Sequence, residues 1–273
     1  MLKLGGLAEW SKAAVLKTVE PRGSVGSNPT PTATICINKY ILYSNDCITM
    51  KSFKTFLNEG VDDPAIFKAI FLAGGPGSGK SFIVGKTGLT SMGYKVVNSD
   101  DAFEAAMEKA GMEMSSDNIF SPKGQEIRRK AKKLTRTKQD RYIKGRLGLV
   151  IDGTGKDPAK IIIQSKKLKQ LGYDVAMIFV NTDLETAIKR DAMRSRTIGE
   201  KEATKYWKAV QGNIGKFQTL FGKENFLVVD NSEGKDYQKE TLRAYKDAQK
   251  FTNARVGPKA RGWIRQERQK KKR

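Results

Sequence analysis

Eight residues hold the most readable chemistry of this chain: GGPGSGKS, Gly74 to Ser81. They fit the pattern G-x-x-x-x-G-K-[ST] and lie between an apolar run and a helical pattern, which is the setting that phosphate-binding loop requires. Gly74, Gly75, Pro76, Gly77, Ser78 and Gly79 supply a backbone whose N–H groups can close around a phosphate. The helix that follows adds a partial positive charge at its start. Lys80 then reaches the β- and γ-phosphates, and the Ser81 hydroxyl is the expected Mg²⁺ ligand. A nucleotide triphosphate, with ATP the expected one, is the ligand this pattern implies.

Two acidic strand ends supply further chemistry. VVNSDDAFE places Asp100 and Asp101 directly after an apolar run, and LVIDG ends another run at Asp152. In an open parallel sheet, ligands bind at the carboxyl ends of the strands. A carboxylate there can take the proton of an attacking hydroxyl, the role expected of Asp100. Asp101 reads as a cap for the next helix. Asp152, ending an apolar run, suits a Mg²⁺-holding position. Arg190 and Arg194 are four residues apart, on one face of a helical pattern, and Arg196 follows. Planar guanidiniums neutralise a migrating phosphoryl group well.

These residues need strands and helices to bring them together. Short apolar runs at IFKAIFLAGG, YKVVNSD, LGLVID, DVAMIFVN and NFLVVDN read as five buried strands. Helical patterns separate them: GKSFIVGKTGLTSMG, DAFEAAMEKAG with an Asp cap, a long basic stretch within Gly124–Lys144, DPAKIIIQSKKLKQLG, DLETAIKRDAMRSR, EKEATKYWKAVQGNIGKFQTLFG and KDYQKETLRAYKDAQKF. Strict alternation implies an α/β fold, a three-layer arrangement with a five-stranded parallel sheet and helices on both faces. The organisation expected is an extension over 1–49, a catalytic domain over 50–252, and a basic disordered tail over 253–273. Trp207 has apolar neighbours and reads as packing rather than base stacking.

Taken together, GGPGSGKS, VVNSDDAFE, LVIDGTGKDPAK and VAMIFVNTDLETAIKRDAMRSR resemble the zeta-toxin and polynucleotide-kinase group of P-loop kinases, the phage type included. The resemblance covers roughly Ala69 to Asn231. It implies an ATP- and Mg²⁺-dependent kinase with Asp100 as general base. It also implies that Asp152 and Thr154 face the substrate or metal shell, and that Arg190, Arg194 and Arg196 ride on a lid and clamp the transferred phosphate. At the place where polynucleotide kinases carry a substrate-holding Arg, this chain has Phe103 or Glu104. The acceptor is a small molecule or a nucleic-acid end: a nucleotide-sugar kinase and a polynucleotide 5′-hydroxyl kinase both stay open. Outside the enzymes, a nucleotide-switched nucleic-acid-binding module is the alternative.

Composition bounds these readings. The 273 residues carry 51 Lys+Arg against 29 Asp+Glu, a net charge of +22 that favours anionic partners. Eleven of the cations fall in Lys123–Arg146, against Glu126 and Asp140. That segment and the Lys-rich tail could give non-specific nucleic-acid contact, or could be solvated faces. There is no histidine, which excludes imidazole metal sites and relays. The two cysteines, Cys36 and Cys47, cannot build a zinc site alone. No apolar run approaches the roughly 20 residues that span a bilayer, so a cytoplasmic protein (host cytoplasm, if phage-encoded) with no membrane partner is expected.

The first residues are a separate matter. Allowed codons for AEWSK, KAAVLKTV and GSNPT can be chosen to resemble, in order, the D-arm, the serine anticodon arm and the T-arm loop of a transfer RNA gene. Residues up to about Ala33 therefore resemble a conceptually translated serine transfer RNA gene, with read-through to residue 49 and a working start at Met50. A genuine basic or targeting extension is the alternative. On the first reading 224 residues remain, and both cysteines fall outside them.

Overall fold

The computed structural model describes residues 60–194 and 197–272, with Ser116 described by its backbone only. The chain divides into two units, Met1–Thr49 and Met50–Arg273. The described residues all belong to the second. The transfer-RNA-like segment, the Met50 start and Arg196 lie outside the described residues.

Five parallel strands form one sheet in the order β2-β3-β1-β4-β5. Their ranges are β1 Lys68–Ala73, β2 Lys95–Val97, β3 Leu149–Asp152, β4 Asp174–Asn181 and β5 Phe226–Asp230. β1 is buried along its whole length, as a near-continuous apolar strand covered on both faces should be. Its alternate side chains feed two cores: Ala69, Phe71 and Ala73 join Phe179 and Phe217 on one face, while Ile70 and Leu72 join Ile83, Val150 and Val229 on the other. The helices are α1 Lys80–Lys86, α2 Ser99–Lys109, α3 Ser116–Phe120, α4 Pro122–Lys144, α5 Pro158–Gln170, α6 Leu184–Ala192, α7 Glu200–Gln211, α8 Ile214–Phe221, α9 Tyr237–Asn253 and α10 Pro258–Lys270. The α/β architecture with five parallel strands is as the alternation of patterns requires.

Four local readings are corrected. The helix after the phosphate loop stops at Lys86, well before the predicted glycine end, and gives way to turns. The helix carrying the aspartates is capped by Asn98, whose side chain accepts from the Asp100 N–H at 2.8 Å, not by an aspartate. The single helix predicted over 200–222 is two, α7 and α8, broken at Gly212 and Asn213. The segment expected to be a disordered tail contains helix α10, because it has a core-facing stripe: Ala260 is fully buried and Trp263 packs edge-on against Phe67, ring centroids 5.4 Å apart.

A smaller apolar cluster lies apart from the two sheet cores. Phe103 and Met107 of α2, Ile119 of α3 and Ala131 of α4 form its buried part, with Met112, Met114 and Ile127 packed around them. Phe103 is therefore core. The Arg128 guanidinium of α4 lies 5.3 Å from the centre of its ring.

Candidate active site

The loop from β1 to α1 is shaped by close backbone approach. Gly77 has φ +72°, and a Cβ there would stand 2.3 Å from the Ala187 carbonyl oxygen. Gly79, φ +83°, would bring a Cβ 2.3 Å from Asn231 Nδ2. Both positions combine a left-handed backbone with no room for a side chain, so glycine is required. No side chain caps α1, whose N-cap is Gly79. Gly75 lies against Trp207, and Trp207 Nε1 donates to the Thr182 carbonyl at 2.7 Å. Trp207 thus packs as expected, but against the phosphate loop itself. Pro76 is half-buried within the loop, and Gly74 N–H donates to the Thr154 carbonyl at 3.1 Å.

Lys80 Nζ donates to the Gly74 and Gly75 carbonyls at 2.7 and 3.3 Å, holding the cation over the loop. Burial pushes its ammonium pKa down; Asp152 and Asp100 oppose that shift and Arg194 adds to it. Burial likewise raises Asp152, with Asp101 and Asp100 adding to the effect and Lys80 opposing it. Lys80, Asp100, Asp101 and Asp152 follow or end β1, β2 and β3 and influence one another's charge, and Arg194, from beyond α6, acts on Lys80. Asp101 is also raised, by burial first and by Asp100 next, and Lys138 of α4 opposes this. Its carboxylate accepts from Asn98 Nδ2 at 2.7 Å, while Asn98 Oδ1 accepts from the Asp100 backbone N–H.

The arginines are divided. Arg190, on α6, donates from Nη1 to the Asn231 carbonyl at 2.8 Å and sits beside Gly79. Arg194 lies past the end of α6, exposed, and acts electrostatically on Lys80. The predicted shared helical face therefore does not hold for this pair.

Three residues that motif reading passed over hold the site in shape. Asn231, buried after β5, donates from Nδ2 to the Ser78 carbonyl at 2.8 Å while its carbonyl receives Arg190. Asn213, at the break between α7 and α8, donates to the Gly155 and Lys156 carbonyls at 3.1 and 3.2 Å and so fixes the loop after β3. Asp191, buried at the end of α6, accepts from Thr197 Oγ1 and from the Ile198 N–H, both at 2.9 Å, which fastens these two residues, just before α7, to α6. The helix break at Gly212–Asn213 carries a local sequence signal. The other two are long-range or buried-polar contacts without one.

The donor set can be tested against Mg²⁺. Asp152 Oδ1 is buried with no hydrogen-bond partner, and the Ser81 side chain is exposed at the start of α1. Among the described residues no three carboxylates or other ligating side chains group to hold a metal unaided. That suits Mg²⁺, which takes one or two protein oxygens and completes its shell with phosphate and water. Thr154 is exposed, with its hydroxyl accepting from the Lys156 N–H at 3.4 Å.

No helix among the described residues is long and apolar enough to cross a membrane. Residues 59–261 match the zeta toxin family model. No curated protein matches the chain. Solved structures similar to it include a gluconokinase from Sinorhizobium meliloti, at 12% identity and TM-score 0.41, covering 68% of this chain and 94% of that one. The PezAT chromosomal toxin-antitoxin system of Streptococcus pneumoniae matches at 15% and 0.44, covering 67% and 85%. Shikimate kinase from Acinetobacter baumannii in complex with shikimate matches at 15% and 0.42, covering 67% and 93%. With the family model spanning most of its length, including the whole phosphate loop and sheet, the chain belongs to the zeta toxin family of P-loop kinases.

Proposed function

We propose that this kinase transfers the γ-phosphate of ATP to an acceptor hydroxyl, with Asp100 as the base. What supports the reading is that Lys80, held on the phosphate-loop carbonyls, is influenced electrostatically by Asp152, Arg194 and Asp100. Residues Gly74–Ser81 cradle the phosphates with their N–H groups, and Lys80 exchanges its two loop carbonyls for phosphate oxygens. Ser81 and Asp152 would hold Mg²⁺, which supplies charge neutralisation to the phosphate oxygens. Asp100 takes the proton of the attacking hydroxyl; Asn98 caps the helix that carries it. Arg194 meets the charge that develops on the transferred group, and Arg196, two residues on in the sequence, is assigned the same role. Arg190, anchored on Asn231 beside Gly79, serves the nucleotide side of the site. Thr154 faces the acceptor from the loop after β3.

The acceptor is a hydroxyl on a small molecule or a nucleic-acid end. The kinase domain proposed runs from residue 50 to at least 252, with α10 packed onto it rather than trailing. Incubating the full chain with γ-labelled ATP, Mg²⁺ and separate panels of nucleosides, nucleotide sugars and 5′-hydroxyl oligonucleotides tests the reading. Label should move to one panel in a Mg²⁺-dependent manner. Release of free phosphate alone, whatever the acceptor offered, would contradict it.

A further inference from the structure

Helix α4 carries more positive charge than a solvated surface helix needs. Its 23 residues hold ten Lys/Arg against Glu126 and Asp140, a net +8 out of +22 for the whole chain. Arg129, Lys130, Lys132, Lys133, Arg136, Arg141 and Lys144 are exposed. Lys130 is paired with Glu126 at 2.7 Å; among the described residues no carboxylate lies within ion-pair distance of the other six. Solvated faces ordinarily mix signs, so that neighbours three and four apart attract. Here Arg129 and Lys133, and Lys132 and Arg136, are like charges at the spacing that destabilises a helix. A bound polyanion would relieve that repulsion.

The opposite side of α4 is occupied. Gly124 and Ala131 are buried, and Ala131 and Ile127 pack with Phe103 and Met107 of α2. The large apolar group exposed on α4 is Leu134, too little to enter a lipid surface. What remains free is a basic arc over about half the circumference of a helix about 34 Å long. A duplex presents two phosphate rows, one for each flank of such an arc. The major groove of duplex DNA is about 12 Å wide, admits an α-helix, and is walled by two phosphate rows. The two α4 glutamines turn inward: Gln125 donates to the Ile119 carbonyl and Gln139 Nε2 is buried. The amide side chains that would read adenine are thus withdrawn, and the outward lysines and arginines are left to the phosphates.

We infer that the outer face of α4 is a docking surface for the phosphate backbone of duplex DNA, bound without sequence preference. This goes beyond the phosphotransfer reading and does not depend on it, since none of the arc residues belongs to the candidate active site.

The test is fluorescence anisotropy of the full chain with a labelled 20-base-pair DNA duplex, a single-stranded RNA of equal length and polyglutamate, over a salt series. The duplex should bind tightest, and its affinity should fall by at least about 10³-fold between 50 and 200 mM salt if six or more phosphates are contacted. Replacing Arg129, Lys133 and Arg136 together by Glu should weaken duplex binding at least about tenfold and lower the salt slope by about 3. A parallel Ala triple, which keeps helix propensity, guards against misfolding, with helix content read by circular dichroism. The charge-matched control reverses Lys166 and Lys167 of α5 and Lys246 of α9, all exposed. If that control weakens binding as much as the α4 variant, the +22 charge acts as a whole and the surface is not a site. Tighter binding of the RNA or of polyglutamate than of the duplex would also overturn the inference.

Discussion

The phosphate loop and the α2–α4 layer are built by opposite means. The loop is fixed by backbone contact with no slack: an added Cβ at Gly77 or Gly79 collides at 2.3 Å, and Asn231 ties Ser78 to the end of β5. The α2–α4 layer rests on four buried side chains, with two half-buried methionines beside them. Methionine adapts its shape readily, and a small separate cluster opens more easily than the main core. The comparison shows why the phosphate donor can be read from a motif while the acceptor cannot. A triphosphate always presents the same oxygens to a rigid cradle, whereas the acceptor side is free to differ.

Ways to break that contrast follow, from the largest effect to the smallest. Lys80→Ala should leave the melting temperature nearly unchanged and lower phosphoryl transfer by about 10²–10³-fold, the loss expected for one preorganised charge donor. Steady-state kinetics beside a thermal melt would show both. Phe103→Ala should cost about 3 kcal/mol through the cavity it leaves. Hydrogen exchange should then quicken across residues 99–144 while equilibrium dialysis finds ATP affinity unchanged. If exchange quickened through β1 and β4 as well, the two sides would be one cooperative unit. Asn231→Ala should remove about 1 kcal/mol of loop organisation, read as a raised KM for ATP with kcat little altered.

The smallest effect is on pH. Burial, together with Asp101 and Asp100, holds Asp152 above the ordinary carboxylate range, with Lys80 opposing. Its charge, and with it the Mg²⁺ grip proposed for it, is therefore lost as pH falls through that raised value, earlier than for a solvated aspartate. The Mg²⁺ concentration giving half-maximal turnover should climb along this acid limb, and added Mg²⁺ should restore rate. An acid limb confined to the ordinary carboxylate range would argue that Asp152 is solvated.

Sequence alone reaches the strands, their parallel pairing and the phosphate loop, because each rests on local rules: apolar runs, glycine conformations and a helix start. The aspartates after β2 and β3 are legible because strand ends set where ligands bind. Asn231 is not, since 153 residues separate it from Ser78 and nothing near it in the chain signals the bond. Asp191 is not, because a buried carboxylate that fastens Thr197 and Ile198 looks like any helix-end aspartate in DAMRSR. The division of Arg190 from Arg194 follows from α6 ending at Ala192, a boundary that residue spacing does not fix. Helix α10 was within reach: Ala260, Trp263 and Ile264 have the spacing of a helical stripe, which the surrounding basic residues obscure.

The most direct test of the account is Asp100→Asn, with ATP affinity and phosphoryl transfer measured on the same preparation. The substitution keeps shape and hydrogen-bonding capacity but removes the base. ATP should bind as before, and transfer to the acceptor should fall by about 10²–10⁴-fold. Transfer at the rate of the parent chain would contradict the role assigned to Asp100, and with it the mechanism proposed for the site.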